Sequence, residues 1–416
     1  MQKLKVLWFT NTPSLAELKV DRPYIEGGWI KSLEEAIREY TEDIELAVVF
    51  NSPVNDKYII DGSTYYSVAN IKMSKVEKLV KRKKAYETGD ERQIQQYLSI
   101  IDEYKPDVIH IHGTEMNFGM ISFRTDIPVA VSIQGLLTVY QNKFFGSIDF
   151  HSIHLSRRMR HEFSSTHKVY QKRSLREQKV LGNVRYIFGR TFWDKLISRA
   201  LSPQSKYYLI DRVIRKSFYE KQWTSKRGDQ IVLITTNRGN LYKGFETLLE
   251  AADVLKGLNY NFIWKVVGLN ENHSLVEVFS EKYNMVKDRI QLLGTIGEED
   301  LVKELLGADI FIQTSHIENS PNGLAEAMLM GLPVIATFAG GTGSYISQFE
   351  NGVLVQDGDC WIMAAAIKDL IDKPELASSL GKKARETALE RHDPKRIAIA
   401  IRNAYYDIAK ANSQIL

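Results

Sequence analysis

Two glutamates, Glu318 and Glu326, stand with seven residues between them in the stretch T-S-H-I-E-N-S-P-N-G-L-A-E-A-M-L-M-G, Thr314 to Gly331. Between them Ser320-Pro321 is a helix-start signal, and Gly331-Leu332-Pro333 is a stop. The first turn of such a helix leaves the backbone N–H groups of Asn322, Gly323 and Leu324 without intrahelical partners, which is a ready anion site. One carboxylate in a loop and one on a helix therefore flank a phosphate-sized opening. Taken singly, either glutamate is as well explained as a capping or surface residue.

A second stretch, T-N-R-G-N-L-Y-K-G-F from Thr236 to Phe245, can aim Arg238 and Lys243 together at a diphosphate. Arginine would bind through its planar fork and lysine as a point charge. Two bases in a loop are otherwise surface decoration. A glycine pair, Gly27-Gly28, follows the first apolar run and lets a ligand approach backbone amides closely. It falls short of G-x-G-x-x-G, so a dinucleotide fingerprint is not met.

The elements that must carry these residues alternate along the chain. Short apolar runs at Lys5–Thr10, Ile44–Phe50, Asp107–His112 and Val129–Ile133 are separated by helical patterns, the first with Trp29, Leu33, Ala36, Ile37 and Tyr40 on one face. The pattern restarts with strands at Ile231–Thr235, Phe262–Val267, Ile290–Leu293, Ala308–Gln313 and Pro333–Ala336, and a helix over Phe245–Leu255. Continuous apolar strands divided by helices predict parallel, doubly wound sheets buried on both faces. The expected organisation is two α/β domains, 1–220 and 221–395, with a helix over 396–416. Ligands of such sheets sit at the carboxyl ends of the strands, so the expected site is a central cleft that the two domains face.

The 416 residues are 44% hydrophobic and 25% charged with a formal net charge of +4, which excludes disorder, collagen and coiled coil and gives no global signal for nucleic acid. One cysteine, Cys360, excludes an intrachain disulfide and a cysteine-based zinc cluster. The opening M-Q-K-L-K-V-L-W-F-T lacks a leader pattern, and the most apolar stretch, Leu324–Gly341, is broken by Glu326 and Pro333. A cytoplasmic protein is expected. Basic runs at Lys72–Thr88 and Arg157–Lys179 are solvated helix faces, or they suit an anionic membrane surface or acceptor. Peripheral contact with the inner face of a membrane is the sharper expectation.

These elements together resemble the retaining GT-B glycosyltransferases of family 4, the "glycosyl transferases group 1" type. Its Glu-x7-Glu motif is matched by Glu318 and Glu326, its Arg-x4-Lys-Gly loop by Arg238, Lys243 and Gly244, and its amino-terminal glycine pair by Gly27 and Gly28. The likeness covers both domains and is strongest from Ile231 to about Val355. It implies a GT-B fold and transfer, with retention, of a sugar from a UDP- or GDP-linked donor to a glycan or lipid-linked acceptor. Bacterial surface polysaccharide or glycolipid synthesis is the implied setting. By resemblance Glu326 would hold the ribose hydroxyls, Arg238 and Lys243 the diphosphate, Glu318 would face the donor sugar, and backbone near Thr295 would meet the base. The 396–416 helix would cross back to the first domain.

There is one departure. Many members place a histidine where Gln134 stands in V-S-I-Q-G-L, and glutamine cannot become cationic. The nearby pair His110 and His112 share a strand face, with His112 at the carboxyl end. His112 is therefore a catalytic candidate, Gln134 an acceptor-side one, and His110 a buried structural residue. Zinc at the two histidines lacks a third ligand, and Asp357-Gly358-Asp359 reads as a turn despite its Asp-x-Asp form. No metal or other cofactor is expected, the two bases and the helix amides replacing a cation. The rival expectations are a GT-B epimerase, a phosphorylase, or a catalytically silent nucleotide- or sugar-binding partner in a polysaccharide assembly complex.

Overall fold

The computed structural model describes residues 3–19, 28–71, 90–149, 156–225 and 228–413. The chain divides into two compact units: Met1–Gln141 with His167–Val213 and His392–Leu416, and Asn142–Thr166 with Ile214–Arg391. The stretch 142–166 thus groups with the second unit although its sequence neighbours belong to the first.

The first unit is built on eight strands: β1 Leu4–Thr10, β2 Ile44–Ser52, β3 Asp56–Ile60, β4 Ser63–Ala69, β5 Val108–His112, β6 Val129–Ser132, β7 Tyr186–Gly189 and β8 Lys206–Leu209. Their order is β3-β4-β2-β1-β5-β6-β7-β8. All neighbours are parallel except β3 and β4, which are antiparallel. That edge is a departure from the all-parallel expectation. Its cause is the Asp61-Gly62 turn, where both residues have positive φ (48° and 82°), as a two-residue hairpin with the twist of a sheet requires.

Side chains alternate through this sheet. Val6 and Trp8 of β1 join a buried cluster with α1 (Gly28–Tyr40) and with a helix over Pro394–Ser413. Leu7 and Phe9 point the other way, into a cluster with Ile94, Tyr97 and Ile101 of α2 (Glu91–Tyr104). Both faces are covered, which is why β1 is apolar at nearly every position. The helix over Pro394–Ser413 contributes Ile397, Ile401, Ala404, Tyr405 and Ile408 to the first unit's core. The basic stretch at 157–179 lies in α3 (Arg157–Asn183) and is not uniformly solvated: Arg176 is buried and donates to the Glu115 carbonyl at 2.6 Å. The run at 72–88 lies outside the described residues.

The second unit has six parallel strands: β9 Ile231–Thr236, β10 Phe262–Val267, β11 Ile290–Gly294, β12 Ile310–Gln313, β13 Val334–Thr337 and β14 Val353–Val355. Their order is β11-β10-β9-β12-β13-β14. Two helices matter for the site, α4 (Phe245–Gly257) after β9 and α5 (Asn322–Met330) after β12. In this order the winding reverses between β9 and β12, the switch point outside whose carboxyl ends ligands of open α/β sheets bind. The first sheet reverses in the same way between β1 and β5.

Candidate active site

Strands β9 and β12 are hydrogen-bonded neighbours, with Leu233 beside Ile310 and Ile234 beside Phe311. Their following loops are therefore brought side by side. The Thr314 hydroxyl donates to the Lys243 carbonyl at 3.0 Å, and the His316 amide donates to the Tyr242 carbonyl at 2.8 Å. Gly244 makes the approach possible. It sits at φ 67°, and a Cβ there would run into the Thr314 carbonyl. Docked in this way, the Lys243 ammonium pairs with Glu318 Oε1, and the Ser315 hydroxyl donates to the same oxygen at 2.8 Å. Glu318 is buried, and its own carbonyl accepts from the Gly341 amide at 2.8 Å.

Helix α5 begins after Pro321, which offers no side-chain cap to the first-turn amides of Asn322, Gly323 and Leu324. It ends at Gly331 in the left-handed conformation, φ 85°. Gly323 lies so close to Thr236, the last residue of β9, that a Cβ would collide with its hydroxyl. The amide end of α5 is thereby seated on the strand that leads into the Arg238–Lys243 loop. Asn322 Oδ1 is buried there without a hydrogen-bond partner.

One Glu326 carboxylate oxygen accepts from Arg215 Nη2 at 2.7 Å, while Arg215 Nη1 reaches Glu298 at 3.4 Å. Lys243 pairs with Glu318, and Arg238 is exposed on the same loop. Thr295 is exposed just after β11.

In the first unit His110 and His112 face the same side of β5, their rings 3.9 Å apart. His110 bridges the Tyr405 hydroxyl and the Ser132 hydroxyl, each at 2.6 Å, and Trp8 Nε1 donates to Tyr405 at 2.8 Å. Burial, with Arg190 nearby, pushes His110 down to about 3, so a neutral ring accepts at one nitrogen and donates at the other. His112 is also buried, with neither ring nitrogen hydrogen-bonded, and burial, then His110 and Arg190, hold it well below the usual histidine range. It packs against Trp8 and Trp29 at ring separations of 4.6 and 5.8 Å. Gln134 Nε2 donates to the His112 carbonyl at 2.9 Å, so these two candidates are brought together. Gly28 opens α1, and Gly27 lies outside the described residues.

A polar cluster not anticipated from sequence surrounds His316, which is buried. Its Nε2 meets Glu246 Oε1 at 2.7 Å and its Nδ1 meets Asp357 Oδ1 at 2.6 Å. Burial works against the charge, but the hydrogen bonds and charges of Asp357 and Glu246 prevail and raise the imidazole to about 9. Asp357 is thus engaged by a histidine, and Asp359 caps the helix Cys360–Asp372 by accepting from the Trp361 and Ile362 amides. Among the described residues no group of three His, Cys, Asp or Glu side chains could hold a metal ion. His316 was visible inside the Thr314–Gly331 stretch. Its partners are far away in sequence, as is Arg215, so spacing gave no signal for them.

Residues 218–387 match the family described as Glycosyl transferases group 1. The second unit is a glycosyl transferases group 1 domain. Among curated relatives, the chain is 32% identical to the N-acetyl-alpha-D-glucosaminyl L-malate synthase of Bacillus anthracis over 126 residues, 30% of this chain and 32% of that protein. It is 27% identical to the lipopolysaccharide core biosynthesis glycosyltransferase LpsE of Rhizobium meliloti over 172 residues, 41% of this chain and 48% of that one. The matched stretches therefore span about a third to about half the length of these relatives. Solved structures extend the likeness to the whole chain. Sucrose-phosphate synthase from Thermosynechococcus elongatus aligns with TM-score 0.74 at 17% identity, covering 98% of this chain and 100% of that one. Anabaena HepE in complex with UDP and glucose aligns with TM-score 0.62 at 15% identity, covering 96% and 99%. The fold is GT-B. Within the group 1 domain, both glutamates and the Lys243 loop fall in the matched residues.

Proposed function

We propose that the protein is a retaining glycosyltransferase that moves a sugar from a nucleotide-sugar, with UDP the favoured carrier, to a glycan or lipid-linked acceptor. One observation carries the reading: the Lys243–Glu318 pair stands beside the uncapped first turn of α5, at the point where the second sheet reverses. The group 1 match and the UDP complex of a structural neighbour support it. The donor diphosphate lies against the Asn322–Leu324 amides, with Arg238 and Lys243 supplying positive charge. Charge developing on the departing diphosphate is stabilised by these preorganised donors, so the reaction proceeds without a metal ion. Glu318 accepts from a hydroxyl of the donor sugar, and Ser315 and Lys243 fix its orientation. Glu326, steadied by Arg215, accepts from the ribose hydroxyls, and the base lies near Thr295. The acceptor hydroxyl attacks from the face the diphosphate leaves. His112 and Gln134 stand on the acceptor side. The relative LpsE is named for lipopolysaccharide core biosynthesis, which supports a role in surface glycan assembly, performed in the cytoplasm with peripheral attachment to the membrane through basic residues.

The test is thermal-shift titration with UDP, GDP, ADP and their sugar conjugates, with and without divalent metal. A metal-independent shift for one nucleotide family, weakened about 30-fold or more in Glu326→Ala, is expected, since two hydrogen bonds to a charged group are lost. No shift with any nucleotide would refute the donor site. Binding without turnover on any acceptor would instead favour the silent partner, and conversion of donor alone would favour an epimerase.

A further inference from the structure

The stretch Lys143–Ser147 is fastened to the second unit from three sides, and all three contacts run through the His316 cluster. Lys143 Nζ pairs with Asp357 Oδ2 at 3.3 Å. The Ser147 hydroxyl donates to Glu246 Oε1 at 2.9 Å, the oxygen that also accepts a hydrogen bond from His316 Nε2. Gly146, at φ 64°, lays its backbone against the imidazole: a Cβ there would stand 2.7 Å from His316 Cδ2 and 3.1 Å from Glu246 Oε1. On its other side His316 is two residues from Glu318, and its amide is tied to the loop that presents Lys243.

We propose that His316 is a positioning residue for the donor-sugar subsite: bridging Glu246 and Asp357, it clamps Lys143–Ser147 beside the loop that carries Glu318. A displacement of that stretch is transmitted through one rigid ring to the carboxylate meant to face the sugar. The charged groups around the ring are Glu246 from α4, Asp357 from the turn after β14, and Lys143 behind Asp357, so the cluster holds two carboxylates and two cations. A neutral imidazole has only one N–H and would leave one carboxylate facing a ring lone pair. The raised affinity of His316 for its proton accords with this geometry. The inference rests on the transferase reading for the word donor, while the clamp itself does not.

Hydrogen exchange of peptides covering 142–149, measured on the free protein, tests the clamp directly. His316→Gln removes the cation. Gly146→Ala drives a methyl into the ring and leaves His316, Glu246 and Asp357 in place. Both variants are expected to speed exchange of this stretch at least tenfold. In the wild type, protection corrected for intrinsic rate is expected to fall as pH rises through about 9, a dependence absent in His316→Gln. In turnover assays both variants are expected to lower kcat about tenfold or more while donor KM changes less than threefold, a split that marks lost positioning. Unchanged exchange in both variants overturns the clamp. Faster exchange with unaltered kcat overturns the positioning role and reduces the cluster to a structural tie. Failure of the wild type to bind any nucleotide would refute the transferase reading, and the exchange result would still decide the clamp.

Discussion

Burial strips the proton from His110 and His112, yet His316, equally buried, keeps its own, and the difference lies in the partners. Hydroxyls and aromatic rings surround the first two, whereas two carboxylates hold the third. Because the folded-state affinity of His316 is raised above its unfolded value of about 6.5, its contribution to stability is complete below that pH. The contribution is lost as pH rises from about 6.5 through about 9. Its full size is on the order of 3 kcal/mol. Urea titrations of wild type and His316→Gln at several pH values should show the gap between them narrowing across that window. A pH-independent gap would mean the imidazole is not charged. At Lys243, removing the ammonium leaves buried Glu318 without its counter-charge and the diphosphate without a donor. Lys243→Ala is expected to reduce kcat by about 10²–10³, and assays at saturating donor would show it.

At the scale of elements, the site depends on how two loops approach each other, and Gly244 governs that approach. Gly244→Ala places a methyl against the Thr314 carbonyl in a backbone conformation that alanine resists, at a cost of about 2 kcal/mol. The loop should relieve the clash by withdrawing Lys243 from Glu318, so turnover is expected to fall together with the urea midpoint. A midpoint shift with full activity would show that the loop adapts elsewhere. The boundaries of α5 were readable because both ends carry local chemistry, proline at the start and a positive-φ glycine at the stop. The short strands β7, β8 and β14 were missed, since three or four residues hold too little pattern to separate from a loop. The antiparallel β3 was signalled by Asp61-Gly62, a turn signature that went unread.

For the whole molecule, the helix over Pro394–Ser413 completes the core of the first unit, although it follows the second in sequence. Tyr405 is its anchor, accepting from Trp8 and bonding His110. Tyr405→Phe leaves both groups buried without that partner, at a cost of about 2–3 kcal/mol. Denaturation followed by tryptophan fluorescence should show the first unit unfolding earlier while nucleotide affinity, which the proposed donor site assigns to the second unit, stays within twofold. A loss of nucleotide affinity of equal size would mean that the units do not behave independently.

Apolar runs separated by helical patterns were enough to establish two α/β units with parallel sheets, the antiparallel β3 edge apart, because strands buried on both faces must be apolar throughout. The Glu318–Glu326 and Arg238–Lys243 stretches were legible as a helix start and a tight loop, because such features are encoded by adjacent residues, and the structure sets the two loops side by side. The tertiary structure alone decided which charges pair. Arg215 meets Glu326, Lys243 meets Glu318, and His316 gathers Glu246, Asp357 and the Lys143–Ser147 stretch. Those partners come from separate strands and loops, and only the strand order that sets β9 beside β12 brings their carboxylates and cations within reach of one another.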